Sequence, residues 1–271
     1  MTPSYTNKHL IVNGCSFTNG NFCTGSETWA NIIQNHFKKT GILYQNIGCK
    51  GNSNDLIIPQ TLEHIKQIDK NDKVVVLMQL TALDRVIVNG QKSPTIGSAL
   101  KSLNWMQWAM SRNENITSWW KNYFENEYSE EKHIDSFISK LLVFQQELKL
   151  YPNVEYKIFC GWDILTQDNK NSYMWDLEKK YQNKNDQLIT KLYPDVHNKF
   201  KQLDLSKFWF FENDYIHFGG LSQWVQYNVP TEYWYRDTSK KEIDFHPSDY
   251  AHKSFAENVI IPIIKNLLKK F

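Results

Sequence analysis

Three short stretches, far apart in the 271-residue chain, hold residue types that could share one piece of chemistry. Asn13-Gly14-Cys15-Ser16 ends a short apolar run, and Gly14 lets the backbone turn so that the Ser16 hydroxyl emerges at a strand end. A serine hydroxyl is a weak nucleophile and needs a neighbouring base. Asp244-Phe245-His246-Pro247 supplies one near the other end of the chain: His246 as base, and Asp244 two positions earlier to orient its ring and favour one tautomer. Between them, Gly48-Cys49-Lys50-Gly51-Asn52-Ser53-Asn54 is a glycine loop that opens a helix, an arrangement whose N–H groups stabilise a developing oxyanion. Asn54 is either a side-chain donor or the cap of that helix. Nucleophile, base and oxyanion donors together make an acyl-transfer machine. Asp214-Tyr215-Ile216-His217 is a second acid–histidine pair, without the proline and terminal helix that follow His246, and His252 reads as a packing or surface residue.

No cluster of Cys, His and carboxylate has metal-ligand spacing, so neither a metal nor another cofactor is expected. Cys15, Cys23, Cys49 and Cys160 lie in unrelated contexts, and Cys15 and Cys160 fall in apolar runs where a thiol is a small buried hydrophobe. The 31 basic and 29 acidic residues are interspersed, with a net charge of +2, which makes nucleic acid a poor partner. The polar start and the short apolar run His9 to Val12 make neither a signal peptide nor a membrane span, so a cytosolic protein, or one packaged from the cytosol into a virion, is expected.

The elements that must position these residues alternate as in an α/β fold with a parallel sheet. Leu10 to Val12, Ile42 to Tyr44, the β-branched run Val74 to Met78 and Tyr156 to Cys160 read as strands, with Val74 to Met78 central. Helices are expected after the capping-box spacing Thr24 to Glu27, from about Asp55 to Ile68 with Pro59 near its start, and from Ile134 to Leu150. A last helix is capped by Ser248, buries Phe255, Val259, Ile263 and Leu267, and is kinked by Pro262. At about 89–131 and 162–241 the alternation stops, and aromatic residues crowd what reads as two insertions over one domain spanning 1–271.

Gly14-Cys15-Ser16, Asn46-x-Gly48-x-x-Gly51-x-Ser53 and Asp244-x-His246-Pro247 together resemble the SGNH/GDSL hydrolase family, in the variant found in bacterial viruses and their hosts. The resemblance implies a three-layer α/β/α sandwich of flavodoxin-like type with a parallel central sheet. It implies a serine esterase with Ser16 as nucleophile, His246 as base and Asp244 as orienting acid. The Ser16 and Gly51 N–H groups would form the oxyanion hole. Cys15 replaces the family's Asp, and Thr81 stands where its third block carries an oxyanion Asn, so Asn54, Gln79 and Thr81 are the candidate replacement donors. Asp84 and Arg85 could take a substrate anion, and Trp119, Trp120 and Trp224 could stack on a sugar, which favours an O-acetyl group on a carbohydrate as substrate. A small-molecule or glycan ester is therefore the expected partner. The alternatives are a non-catalytic glycan-binding or virion-associated module on the same fold, and an O-acyltransferase using the same residues.

Overall fold

Two apolar runs, Leu10 to Val12 and Val74 to Met78, are buried on both faces and form the middle of the sheet. The computed structural model describes residues 7–19, 27–83, 85, 87–88, 91–92, 119, 122–166, 188–214, 216–237 and 244–271. Strand β1 (Lys8–Asn13) pairs in parallel with β2 (Ile42–Asn46) on one side and β3 (Lys73–Leu80) on the other. β3 pairs with β4 (Val154–Cys160), and β4 with the short β5 (Phe208–Trp209), giving a parallel five-stranded sheet in the order β2-β1-β3-β4-β5.

Continuous apolar strands require cover on both faces, and helices supply it. Helix α1 (Trp29–Phe37) packs with α6 (Asp249–Phe255) and the turn after it on one side. Helix α2 (Asn54–Lys66) packs with α3 (Glu130–Leu148), and α3 with α4 (Pro194–Phe200), on the other. Helix α5 (Leu221–Asn228) contacts α6. The result is the three-layer α/β/α sandwich expected from the sequence.

Several boundaries move. α1 begins at Trp29 after Thr28, whose hydroxyl lies 2.6 Å from Asn31 Oδ1 and 3.1 Å from the Thr18 carbonyl; Thr24 to Ser26 lie outside the described residues. Pro59 falls inside α2 rather than in its first turn. Ser248 does cap α6, its Oγ accepting from the Ala251 N–H at 3.0 Å. A π-helical turn, Ala256–Ile260, then precedes α7 (Ile261–Leu268), which carries Pro262 at its start. The wider turn inserts one residue into the helical phase. Ile264 is therefore buried where straight periodicity selects Ile263, which is only half-buried.

The stretch read as a second insertion holds more regular structure than expected. It contains α4, α5 and the edge strand β5, which is too short for alternation to show. In the first, Ile87–Val88 pairs with Gln91–Lys92 as a small antiparallel ladder. No helix among the described residues is long and apolar enough to cross a membrane.

Candidate active site

Ser16 sits in a tight turn directly beyond β1, where the Thr18 and Asn19 N–H groups both donate to the Cys15 carbonyl at 3.0 Å. The turn is bolted down from beneath. Asn13 is fully buried; its Nδ2 donates to the Ile57 carbonyl and Thr61 Oγ1, and its Oδ1 accepts from the Gly14 N–H at 2.7 Å. Gln79, also fully buried near the end of β3, accepts from Thr18 Oγ1 at 2.6 Å and from Trp29 Nε1 at 3.4 Å, while its Nε2 lies 3.5 Å from Cys15 Sγ. That amide is thus a clamp on the serine turn and not the oxyanion donor considered from the sequence. Cys15 and Cys160 are buried free thiols, and burial pushes the Cys160 thiol far up, out of reach of ionisation at neutral pH.

The histidine arrives from the opposite end of the chain. β6 (Tyr235–Asp237) and β7 (Asp244–Pro247) form an antiparallel pair beside the sheet. His246 in β7 places Nε2 at 2.9 Å from Ser16 Oγ. Ser16 is only 7% exposed, so this bond is largely shielded from water. The Phe17 ring meets the His246 ring edge-on at 5.4 Å and packs against Trp162 at 5.6 Å, which fixes the imidazole laterally. Behind it, the fully buried His252 packs edge-on against Phe17 at 6.4 Å. Asp244 lies in β7 two residues before His246, but its side chain is outside the described residues. Asp214 and His217 are exposed on a surface turn between Phe211 and Gly219, which pair as an antiparallel bridge. It is His246 that meets Ser16.

The glycine loop is tied to the serine turn at several points. The Cys49 N–H donates to the Gly14 carbonyl at 3.1 Å, Asn19 Nδ2 to the Gly48 carbonyl at 2.9 Å, and Asn46 Nδ2 to the Thr18 carbonyl at 3.1 Å. Gly51 has φ +65°, a backbone conformation that glycine adopts without the strain of a Cβ. Asn54 is the first residue of α2, preceded by Ser53 as cap, and its amide is engaged on both atoms elsewhere. Nδ2 donates to the Thr81 carbonyl at 2.8 Å and Oδ1 accepts from the Thr81 N–H at 2.9 Å. The reading of Asn54 as an oxyanion donor is therefore corrected: it clasps the backbone at the end of β3. Thr81, in contrast, is fully buried, and its hydroxyl has no hydrogen-bond partner among the described residues.

Removing this clasp should be costly. Asn54→Ala leaves a buried N–H and a buried C=O of Thr81 unpaired, at about 1–3 kcal/mol for each group. Urea unfolding should register a loss of roughly 2–6 kcal/mol, with Asn54→Asp, which keeps the acceptor, falling between. A loss well under that range would mean that water replaces the amide.

The residues proposed to touch substrate fare unequally. Trp224 is buried in α5 with its ring against Phe255 at 5.5 Å; it belongs to the core and offers no sugar platform. Trp119 is exposed and stacks on Tyr123, the rings 5.9 Å apart and 10° from parallel. Burial, with the negative charges of Glu127 and Asp55, raises the Tyr123 phenol pKa, which keeps it neutral. Trp120 and Asp84 lie outside the described residues. Arg85 is buried with its guanidinium over the Trp162 ring at 5.7 Å. Phe17, Thr18 and Trp162 were not singled out from the sequence; adjacency to Ser16 was the available signal for the first two, and the end of β4 for the third. Among the described residues no group of His, Cys, Asp and Glu is placed to hold a metal ion.

No family model matches the sequence, and no curated protein matches it. Solved structures do. A Bacillus subtilis protein, YxiM, aligns over 97% of this chain at a TM-score of 0.50 and 12% identity. The two share the α/β fold. This chain spans only 57% of the length of the Bacillus subtilis structure. The acetyl xylan esterase AlAXEase aligns at a TM-score of 0.44 and 14% identity, over 94% of this chain and 99% of its own. The acetylxylan esterase Axe2 from Geobacillus stearothermophilus, as a catalytic mutant, aligns at 0.43 and 13%, over 97% and 96%. At such identities the likeness is one of fold, and the chemistry of this chain rests on its own residues.

Proposed function

We propose that the protein is a serine esterase. The observation that carries this reading is the hydrogen bond between Ser16 Oγ and His246 Nε2, joining the first strand's end to the strand before the last helix. His246 takes the Ser16 proton as the oxygen attacks an ester carbonyl. The tetrahedral oxyanion is received by the N–H groups of Ser16 and Gly51, neither of which is spent on another hydrogen bond among the described residues. The Thr81 hydroxyl, buried without a partner among the described residues, is the donor in the register of the family's Asn. His246 then returns the proton to the departing alcohol, and water cleaves the acyl-enzyme. Asp244 is assigned the orienting role because alternate residues of a strand share a face, so an acid two positions before the histidine is suitably placed in β7.

The preferred substrate is an O-acyl group, acetyl first, on a carbohydrate. The exposed Trp119 stacked on Tyr123 supports this, since a flat aromatic surface accepts a sugar face. A fluorophosphonate probe reacts only with an activated serine. It should label the protein at Ser16 and leave Ser16→Ala unlabelled, with labelling greatly slowed in His246→Ala. An unlabelled parent protein would mean that the fold serves as a binding module.

A further inference from the structure

Among the described residues, Arg85 is a buried cation without an anion. It lies four positions beyond Thr81 on the segment leaving β3 and is 6% exposed. Among the described residues its Nε and Nη1 are buried with no hydrogen-bond partner, and it makes no ion pair. Its contact is the face of Trp162 at 5.7 Å, which attracts the guanidinium but satisfies none of its N–H donors. A guanidinium does not escape by losing its proton, so a folded chain that keeps one here carries an uncompensated desolvation cost. The buried acid that follows Trp162 in the chain, Asp163, is engaged: its Oδ1 accepts from Gln223 Nε2 at 3.0 Å, and its Oδ2 lies 3.4 Å from Thr166 Oγ1. The position is equally telling. Trp162 packs on Phe17, and Phe17 on His246, so the unpaired charge stands two ring contacts from the base, on the same rim of the sheet as Ser16.

We propose that Arg85 is the carboxylate-recognising residue of this site, and that the ester it processes is carried by an acidic sugar of the uronic acid type. The proposal deepens the esterase reading and rests on it for the reaction, though not for the binding. A planar carboxylate matches the guanidinium fork and supplies the single negative charge the site lacks. A phosphate dianion would bring one charge too many to a place with one cation, and a neutral sugar would leave the arginine as it is.

The test uses the full-length Ser16→Ala protein, which binds without turning over, melted with D-galacturonate, D-galactose or inorganic phosphate at matched ionic strength. Galacturonate should raise the Tm saturably and galactose should not. Adding Arg85→Met should abolish the rise. It should also leave the ligand-free Tm at or above that of the parent, because an apolar chain of similar length replaces an unpaired buried charge. In the Ser16 protein, acetate release from acetylated galacturonate should be compared with release from the acetylated galacturonamide. The ratio of their kcat/KM values should fall roughly 10- to 100-fold in Arg85→Met, the worth of a hydrogen-bonded charge. A ligand-free Tm far below the parent would make Arg85 structural and overturn the proposal. So would a galacturonate shift no larger than that of galactose, or a phosphate shift as large and as dependent on Arg85. An Arg85-dependent galacturonate shift without acetate release from either substrate upholds the carboxylate site and discards the esterase reading.

Discussion

Replacing Ser16 by Ala should lower kcat on a small aryl ester such as 4-nitrophenyl acetate by roughly 10³-fold or more, and His246→Ala should do the same. The double variant should lose little beyond either single one. The reason is the 2.9 Å contact between Oγ and Nε2: once the base is gone the hydroxyl is a poor nucleophile, and once the hydroxyl is gone the base has nothing to activate. What survives in each case is the contribution of the oxyanion donors and of binding, which the two deletions share. Asp244→Asn should also be strongly impaired, because an amide can hold the imidazole in the wrong tautomer. His217→Ala should leave turnover intact, since His217 is exposed on a surface turn and it is His246 that bonds to Ser16. Initial rates on variants shown by circular dichroism to be folded decide the matter. Losses for Ser16→Ala and His246→Ala that multiply in the double variant would mean that the two do not act as one unit.

The layers of this fold were legible because its central strands are unambiguous. Val74 to Met78 is continuous and β-branched, and such a run is stable only where both faces are covered. The three chemical stretches were legible for a related reason: strand ends and helix starts are fixed by short signals, and chemistry at a sheet edge gathers there. Less was visible where a residue's role depends on what lies across the fold. Asn54 reads as a cap or donor in sequence, yet its amide faces the end of β3, a partner that only the crossover from α2 to β3 brings near. Trp224 reads in sequence as a possible sugar platform until α6 places Phe255 against it. The shift from Ile263 to Ile264 has the same origin, since a π-turn next to a proline has no signature in straight 3.6 periodicity. Gln79 reads in sequence as a candidate oxyanion donor just past the central strand, yet it lies buried within β3, where a polar group demands partners. Their identity, Thr18, Trp29 and Cys15, emerged only with the packing of β3 against β1.

Gly14 separates two physical accounts of why a glycine precedes the nucleophile, and its replacement should have the second large effect. The sequence suggests backbone freedom, but the described glycines with positive φ are Gly41 and Gly51, and Gly14 is not among them. Space is the constraint instead. A Cβ at Gly14 would sit 2.2 Å from Thr18 Oγ1 and 2.9 Å from Gln79 Cβ, inside the contact that clamps the serine turn. Gly14→Ala should therefore destabilise the protein by about 1–3 kcal/mol, the usual cost of overpacking. It should also cut kcat by roughly 10²-fold, because Ser16 Oγ loses its alignment with His246 when the turn shifts by an ångström. If crowding is the cause, Thr18→Ala removes the worst overlap, and Gly14→Ala/Thr18→Ala should be more stable than the sum of the single losses by about 0.5 kcal/mol or more. Relief would be partial, since the contact with Gln79 Cβ remains. If backbone conformation were the cause, trimming Thr18 would bring no relief. Chemical denaturation of the four proteins measures the coupling directly, and strictly additive losses would return Gly14 to the conformational account.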